Sequence, residues 1–217
     1  MSELYCLQVR RIRESYGDLF LPIVVVSTDE DERLFTRHGI ETHRFPNFPL
    51  PAKFQYGLDQ LRDRVDAVFF LDDDDLINNT LIDKIISQGE ELVWPIGLYM
   101  ANSKSGEIRV FDWFYRKYSS VGRLARKSLL DRLDWKLWLP VSGMCVIDYH
   151  SHQRLLTGKP TMKMVDMLPD GVMLDIKGDV NINSYLRFSK GGKVASDLIL
   201  DSFSEAERKY FHRLCQQ

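Results

Sequence analysis

Short apolar runs alternate with stretches of helical spacing along the first half of the chain. Leu4, Leu7 and Ile12, set among Arg10, Arg11 and Arg13, predict a helix over residues 3–16 that stops at Tyr16-Gly17-Asp18. Pro22–Val26 is a β-branched run too short for a buried helix, and such runs belong to parallel strands covered on both faces. A short helix from Asp31 to His38 is closed by Gly39, and Ile40–Arg44 reads as a second strand. After a stiff loop with three prolines (Pro46, Pro49, Pro51), Phe54, Leu58, Leu61 and Val65 share one face of a helix over Ala52–Arg64. Val65–Leu71 is a third buried-type strand, and it runs into four aspartates, Asp72–Asp75.

The second half is more mixed. A helix is expected over Leu81–Gln88, capped by Asn79 or Thr80. Strands are expected over Leu92–Met100 and Ile108–Phe114, joined by the turn Ser103–Gly106, with short ones at Val172–Ile176 and Tyr185–Phe188. Arg123–Leu133 has amphipathic helical spacing. Ser204-Glu205-Ala206-Glu207 starts a terminal helix with a capping box. Helix–strand alternation of this kind predicts an α/β protein with a mostly parallel sheet flanked by helices. Ligands of open α/β sheets sit beyond the carboxyl ends of the strands, where the polar clusters Ser27–Glu30 and Asp72–Asp75 lie.

Composition narrows this without redirecting it. The 217 residues suit a single domain over 1–217, and 44% hydrophobic with 28% charged residues excludes a disordered chain. Lys and Arg (29) nearly balance Asp and Glu (31), so no global positive field draws the chain to nucleic acid or membrane. Cys6, Cys145 and Cys215 lack metal-ligand spacing and read as reduced thiols of a cytoplasmic protein. No signal-peptide h-region and no run of membrane-spanning length is expected.

The aspartate cluster carries the chemistry. Four adjacent carboxylates repel one another, and a divalent cation with oxygen ligands is their natural counter-charge. Mn2+ or Mg2+ held by one or two carboxylates commonly also holds substrate phosphates. A solvated acidic loop is the alternative.

The segment VDAVFFLDDDDLI resembles the D-x-D region of GT-A glycosyltransferases, especially the family 2 type. IVVVSTDED resembles that fold's second-strand motif, and PLPAKFQYGLDQLRD the helix before its metal strand. VGRLARKSLLDRLDWKLW and DIKGDVNINSY resemble later blocks of a phage and bacterial subgroup, in the expected order. The resemblance implies a GT-A-like (Rossmann-like) domain with 91–217 as its acceptor-side half. It implies transfer of a sugar from a nucleoside diphosphate-sugar to an acceptor hydroxyl, with inversion, in the cytoplasm (the host's, for a phage-encoded chain). Asp74, with Asp72 or Asp75, would hold the metal. Ser27, Asp29, Glu30, Lys53, Asp72 and Arg123 would bind the nucleotide or substrate. For Asp29 a helix cap is an equal alternative, for Arg123 a solvated helix start, and for Lys53 a side chain that snorkels off its helix.

Two departures stand out. The first strand of that fold is not evident, because the chain opens in the helix that normally follows it. The base motif is displaced to Gly143–Asp148, where Asp148 is either the catalytic base or a cap for Tyr149-His150-Ser151. A degenerate domain that binds nucleotide or a partner without turnover, and a nucleotidyltransferase, are therefore the competing classes. The acceptor is a modified DNA base or a glycan. Arg116, Lys117, Arg123, Arg126, Lys127, Arg132 and Lys136 would form a basic face for DNA or merely a solvated one. Trp113, Tyr115 and Trp138 are platform or core residues, and His150, His152 and His212 are secondary metal-ligand candidates. Asp175 and Lys177 read as an ion pair, either near the site or as a plain strand-end bridge. A sheet lacking one strand makes a homodimer attractive.

Overall fold

A computed structural model describes residues 2–111, 122–138, 147–167, 170–178 and 192–216. The first half follows the hydrophobic pattern closely: α1 (Ser2–Tyr16), β1 (Ile23–Val26), α2 (Asp29–Arg37), β2 (Glu41–Arg44), α3 (Leu50–Leu61) and β3 (Ala67–Phe70). Then come β4 (Asp75–Ile77), α4 (Asn79–Ile86), β5 (Leu92–Ile96), β6 (Leu98–Asn102), β7 (Ile108–Phe111), β8 (Arg123–Arg126) and α5 (Lys127–Arg132). The last part holds α6 (Ile147–Thr157), β9 (Met162–Asp166), β10 (Met173–Lys177), β11 (Lys193–Val194) and α7 (Glu205–Leu214). The capping box at Ser204 is formed, with Glu207 reaching back to the cap backbone. The expected strand 185–188 lies outside the described residues.

The strands make three sheets, not one: β1-β2, β11-β7-β6-β10-β4 and β3-β8-β5-β9. The expected mostly parallel sheet is corrected to a mixed one. Only β1–β2, β6–β10 and β5–β9 pair in parallel, and five pairings among the described strands are antiparallel. Two features cause this. A tight turn folds β6 back onto β7, and β8 runs back between β3 and β5. Among the described residues no strand joins the β1–β2 pair to β3.

Three apolar clusters hold the layers together. The largest fills the space between the five-stranded sheet, α1, α4 and α7. The second packs Leu58, Val68, Leu92 and Leu129 around the fully buried Trp135. The third sets Tyr5, Cys6 and Val9 of α1 against Val26, Phe35 and Ile40. Trp138 belongs to the core of the second cluster, stacked on Phe54 at 5.3 Å and edge-on to Phe70 at 5.5 Å. Of the two readings given for it, core and not platform is the one formed, while Trp113 and Tyr115 lie outside the described residues.

Helix α1 is fastened to β4 through Gln8, which is wholly buried. Its side-chain amide donates to the Asp75 carbonyl at 2.9 Å, and its carbonyl accepts from Ile77 N–H at 2.7 Å. Gln8 thus supplies β4 with the hydrogen bonds a neighbouring strand would make. Replacing Gln8 with Leu keeps the volume but leaves two buried backbone groups unpaired, each costing about 1–3 kcal/mol. Q8L should lose about 2–4 kcal/mol in urea unfolding; a loss below about 0.5 kcal/mol would show that β4 does not depend on this amide.

Candidate functional site

Strand β3 ends at Phe70, and the chain turns at once. The N–H of Asp75 donates to the Asp72 carbonyl, and β4 starts from there, paired antiparallel with β10. This tight turn gathers the carboxylates. Oxygen atoms of Asp72, Asp74 and Asp75 all lie within 4.8 Å of one another, and these residues form a group that can hold a metal ion. Hard divalent cations take oxygen ligands at about 2.1–2.4 Å, so ligands of one ion lie at most about 4.2–4.8 Å apart. The donor set and its spread fit such a cation, with slight closure for the smallest ions. The acidic segment is thus part loop, part strand: Asp75 is buried in β4, not solvated.

Two lysines act on this turn, Lys177 by direct contact and Lys53 through its charge. Register places Asp175 of β10 opposite Asp75, and Lys177 lies two residues on. Side chains at i and i+2 of a strand share a face. The Lys177 ammonium is 2.6 Å from Asp175 and 3.3 Å from Asp74, all three side chains being largely buried. Burial alone would pull the Lys177 pKa down, but Asp175 and Asp74 together outweigh it and the net direction is up. The expected ion pair is therefore formed, and of its two readings the pair beside the carboxylate group is the one present, not the plain strand-end bridge.

Lys53, in the first turns of α3, donates to Asn47 Oδ1 at 2.7 Å. Burial lowers its pKa, with Asp73 and Asp31 opposing that shift. Asp73 in turn is pushed up by the loss of surrounding water and by the Asp74 charge. Tyr5 of α1 borders the same turn, its hydroxyl pKa raised by burial and then by Asp73. The carboxylates that act on Lys53 are thus Asp73 and Asp31, and its hydrogen-bond partner is Asn47.

The other expected residues are placed less centrally. Ser27 and Glu30 follow β1, and Asp29 opens α2. The helix cap is Thr28, whose hydroxyl accepts from Asp31 N–H at 3.1 Å, so the alternative of Asp29 as cap is corrected. The Asp29 carboxylate is exposed and paired with Arg44 at 2.6 Å. Arg123 sits in β8, opposite Phe70, and is buried; the expectation of a solvated helix start is corrected. The Asp148 backbone lies in the first turn of α6, which the hydrophobic pattern did not reveal, and its side chain is outside the described residues. His152 is buried edge-on to Trp94 at 5.9 Å, and no histidine belongs to the carboxylate group among the described residues.

The basic face is largely neutralised within the fold. Arg126 donates to backbone carbonyls of Gln88 and Glu90. Lys127 pairs with Asp63 and Asp131, Arg132 with Glu91, and Lys136 with Asp59. Arg116 and Lys117 lie outside the described residues. Lys127, Arg132 and Lys136 serve ion pairs within the fold, and Arg126 serves backbone carbonyls.

No protein-family model matches the chain, and no curated protein matches it. No helix among the described residues is long and apolar enough to cross a membrane. The class that fold and site define is a mixed α/β protein with a carboxylate group able to hold a metal at the end of a strand.

Proposed function

We propose that the chain is a metal-dependent glycosyltransferase that moves a sugar from a nucleoside diphosphate-sugar to an acceptor hydroxyl. One observation carries the reading: Asp72, Asp74 and Asp75 converge within 4.8 Å at the carboxyl end of an apolar strand. That is the place and chemistry for a divalent cation shared with a diphosphate. Asp74, Asp72 and Asp75 hold Mn2+ or Mg2+, which supplies positive charge to the departing diphosphate. Lys53 adds a further positive charge near the same turn. Ser27, Asp29 and Glu30, beyond β1, receive the nucleoside, and Asp29 leaves Arg44 to do so. A carboxylate base, for which Asp148 is the candidate, takes the proton of the acceptor hydroxyl as it attacks the anomeric carbon. The neutralised basic stretch favours a glycan or other small acceptor over duplex DNA.

A second reading has its own support. The β1–β2 pair forms a separate sheet, unjoined to β3 among the described residues. A nucleoside side that shares no sheet with the metal side among the described residues suits a domain that binds nucleotide without turnover.

Thermal-shift titration with nucleoside diphosphate-sugars, each with and without Mn2+, tests both. A ligand at a hundredfold excess over Kd stabilises by about 2.7 kcal/mol. The transferase reading expects a shift with one donor that requires Mn2+, and slow release of its diphosphate. A shift without turnover on any acceptor hydroxyl supports the binding domain. A shift that does not need Mn2+ overturns the metal-dependent transferase, and no shift with any donor, with or without Mn2+, overturns both.

A further inference from the structure

The carboxylate group already contains a cation of its own. Lys177 reaches Asp74 at 3.3 Å while anchored on Asp175 at 2.6 Å. Asp74 is therefore shared between that ammonium and the trio able to hold a metal. A divalent ion bound by Asp74 and an ammonium left a few ångströms away repel strongly in a half-buried setting. The ammonium cannot simply leave, because Asp175 is buried and keeps it close.

We propose that Lys177 is an exchangeable counter-ion: it holds Asp74 while the carboxylate group is empty and yields Asp74 to the incoming metal. It then stays on Asp175 beside the metal, as a second positive charge for an anionic ligand. This rests on the metal reading above and deepens it. Lys177 opposes binding of the metal alone and favours binding of the metal together with a diphosphate. It is a positioning residue that couples the two ligands, and it keeps the site from filling with free metal.

The test compares wild type, Lys177→Met and Lys177→Arg in two titrations. Free Mn2+ is followed by its electron paramagnetic resonance signal, and preformed Mn2+–pyrophosphate by calorimetry. Lys177→Met should bind Mn2+ alone at least about tenfold more tightly and Mn2+–pyrophosphate about tenfold more weakly, since repulsion at this range exceeds one decade in binding constant. Lys177→Arg, which keeps the charge, should stay near wild type in both. If Lys177→Met fails to fold because Asp175 is left buried and charged, the double variant Lys177→Met/Asp175→Asn removes the pair together and should show the same tightening. Unchanged or weaker Mn2+ binding in a folded charge-free variant, with wild type binding Mn2+, overturns the exchange while the metal reading stands. Absence of Mn2+ binding in wild type and every variant overturns the metal reading and the exchange with it.

Discussion

Asp74→Asn should lower Mn2+ affinity by at least about 100-fold and leave the fold in place. Asn keeps the shape and one oxygen but removes the charge, and charge count sets affinity at sites built from carboxylates. Asp74 has the Lys177 ammonium as a partner, so its replacement frees Lys177 as well. Lys177 then remains on Asp175, so no buried charge is stranded. The Asp74 carbonyl, which accepts from Ile176 N–H at 2.9 Å, belongs to the backbone and is untouched. Stability should therefore change by no more than about 1 kcal/mol. Calorimetric titration with Mn2+ beside a urea melt checks both halves. Near-wild-type affinity in a folded variant would remove Asp74 from the site.

Gly122→Ala should destabilise the fold by about 2–5 kcal/mol. Gly122 has a φ of +71°, a left-handed conformation that a Cβ penalises by about 1–2 kcal/mol. An added Cβ would also lie 2.6 Å from Met173 Sδ and 3.0 Å from Pro95 Cγ. Met173 is fully buried and the Pro95 ring is part of β5, and overpacking of this kind costs about 1–3 kcal/mol. The position matters because Gly122 N–H donates to Phe70 O at 2.7 Å, at the end of the strand that delivers Asp72. Gly89→Ala is the control, since nothing lies within 4 Å of its added Cβ. It should stay within about 0.5 kcal/mol of wild type. Equal melting of the two variants would refute the close packing of the turn before β8.

The glycine-arginine pair shows where local pattern stops being informative. Arg123–Leu133 has helical spacing throughout, yet its first four residues are strand. Gly122 turns the chain into the gap between β3 and β5, and pairing with Phe70 and Val93 neighbours overrides helix propensity. Leu92–Met100 reads as one strand because every position but Pro95 and Gly97 is a strand former. Gly97, at φ +93°, breaks it and sends its two halves into different sheets. Asp75–Ile77 reads as loop because of its charge, and becomes strand because Gln8 and β10 supply its hydrogen bonds. Where elements are local and amphipathic, as in α1, α3, α4 and α7, spacing and caps suffice. Even there the cap of α4 is Asn78, not the expected Asn79 or Thr80.

The site divides in the same way. The aspartates are contiguous in sequence, so their convergence is legible from the end of an apolar strand. Lys177 and Asp175 are about a hundred residues away in the chain. Their i, i+2 spacing shows a shared strand face, but only the register of β10 against β4 sets that face beside Asp74. Tyr5 and Gln8 reach the turn through the docking of α1, which no local pattern encodes.

Anomalous diffraction from a crystal of the protein with Mn2+ and a nucleoside diphosphate tests the central claim most directly. The account predicts one strong manganese peak within about 2.4 Å of carboxylate oxygens from Asp72, Asp74 and Asp75. The diphosphate should complete its coordination, with the Lys177 ammonium moved off Asp74. A fully occupied manganese peak elsewhere, or ordered nucleotide with no manganese at these aspartates, would contradict it.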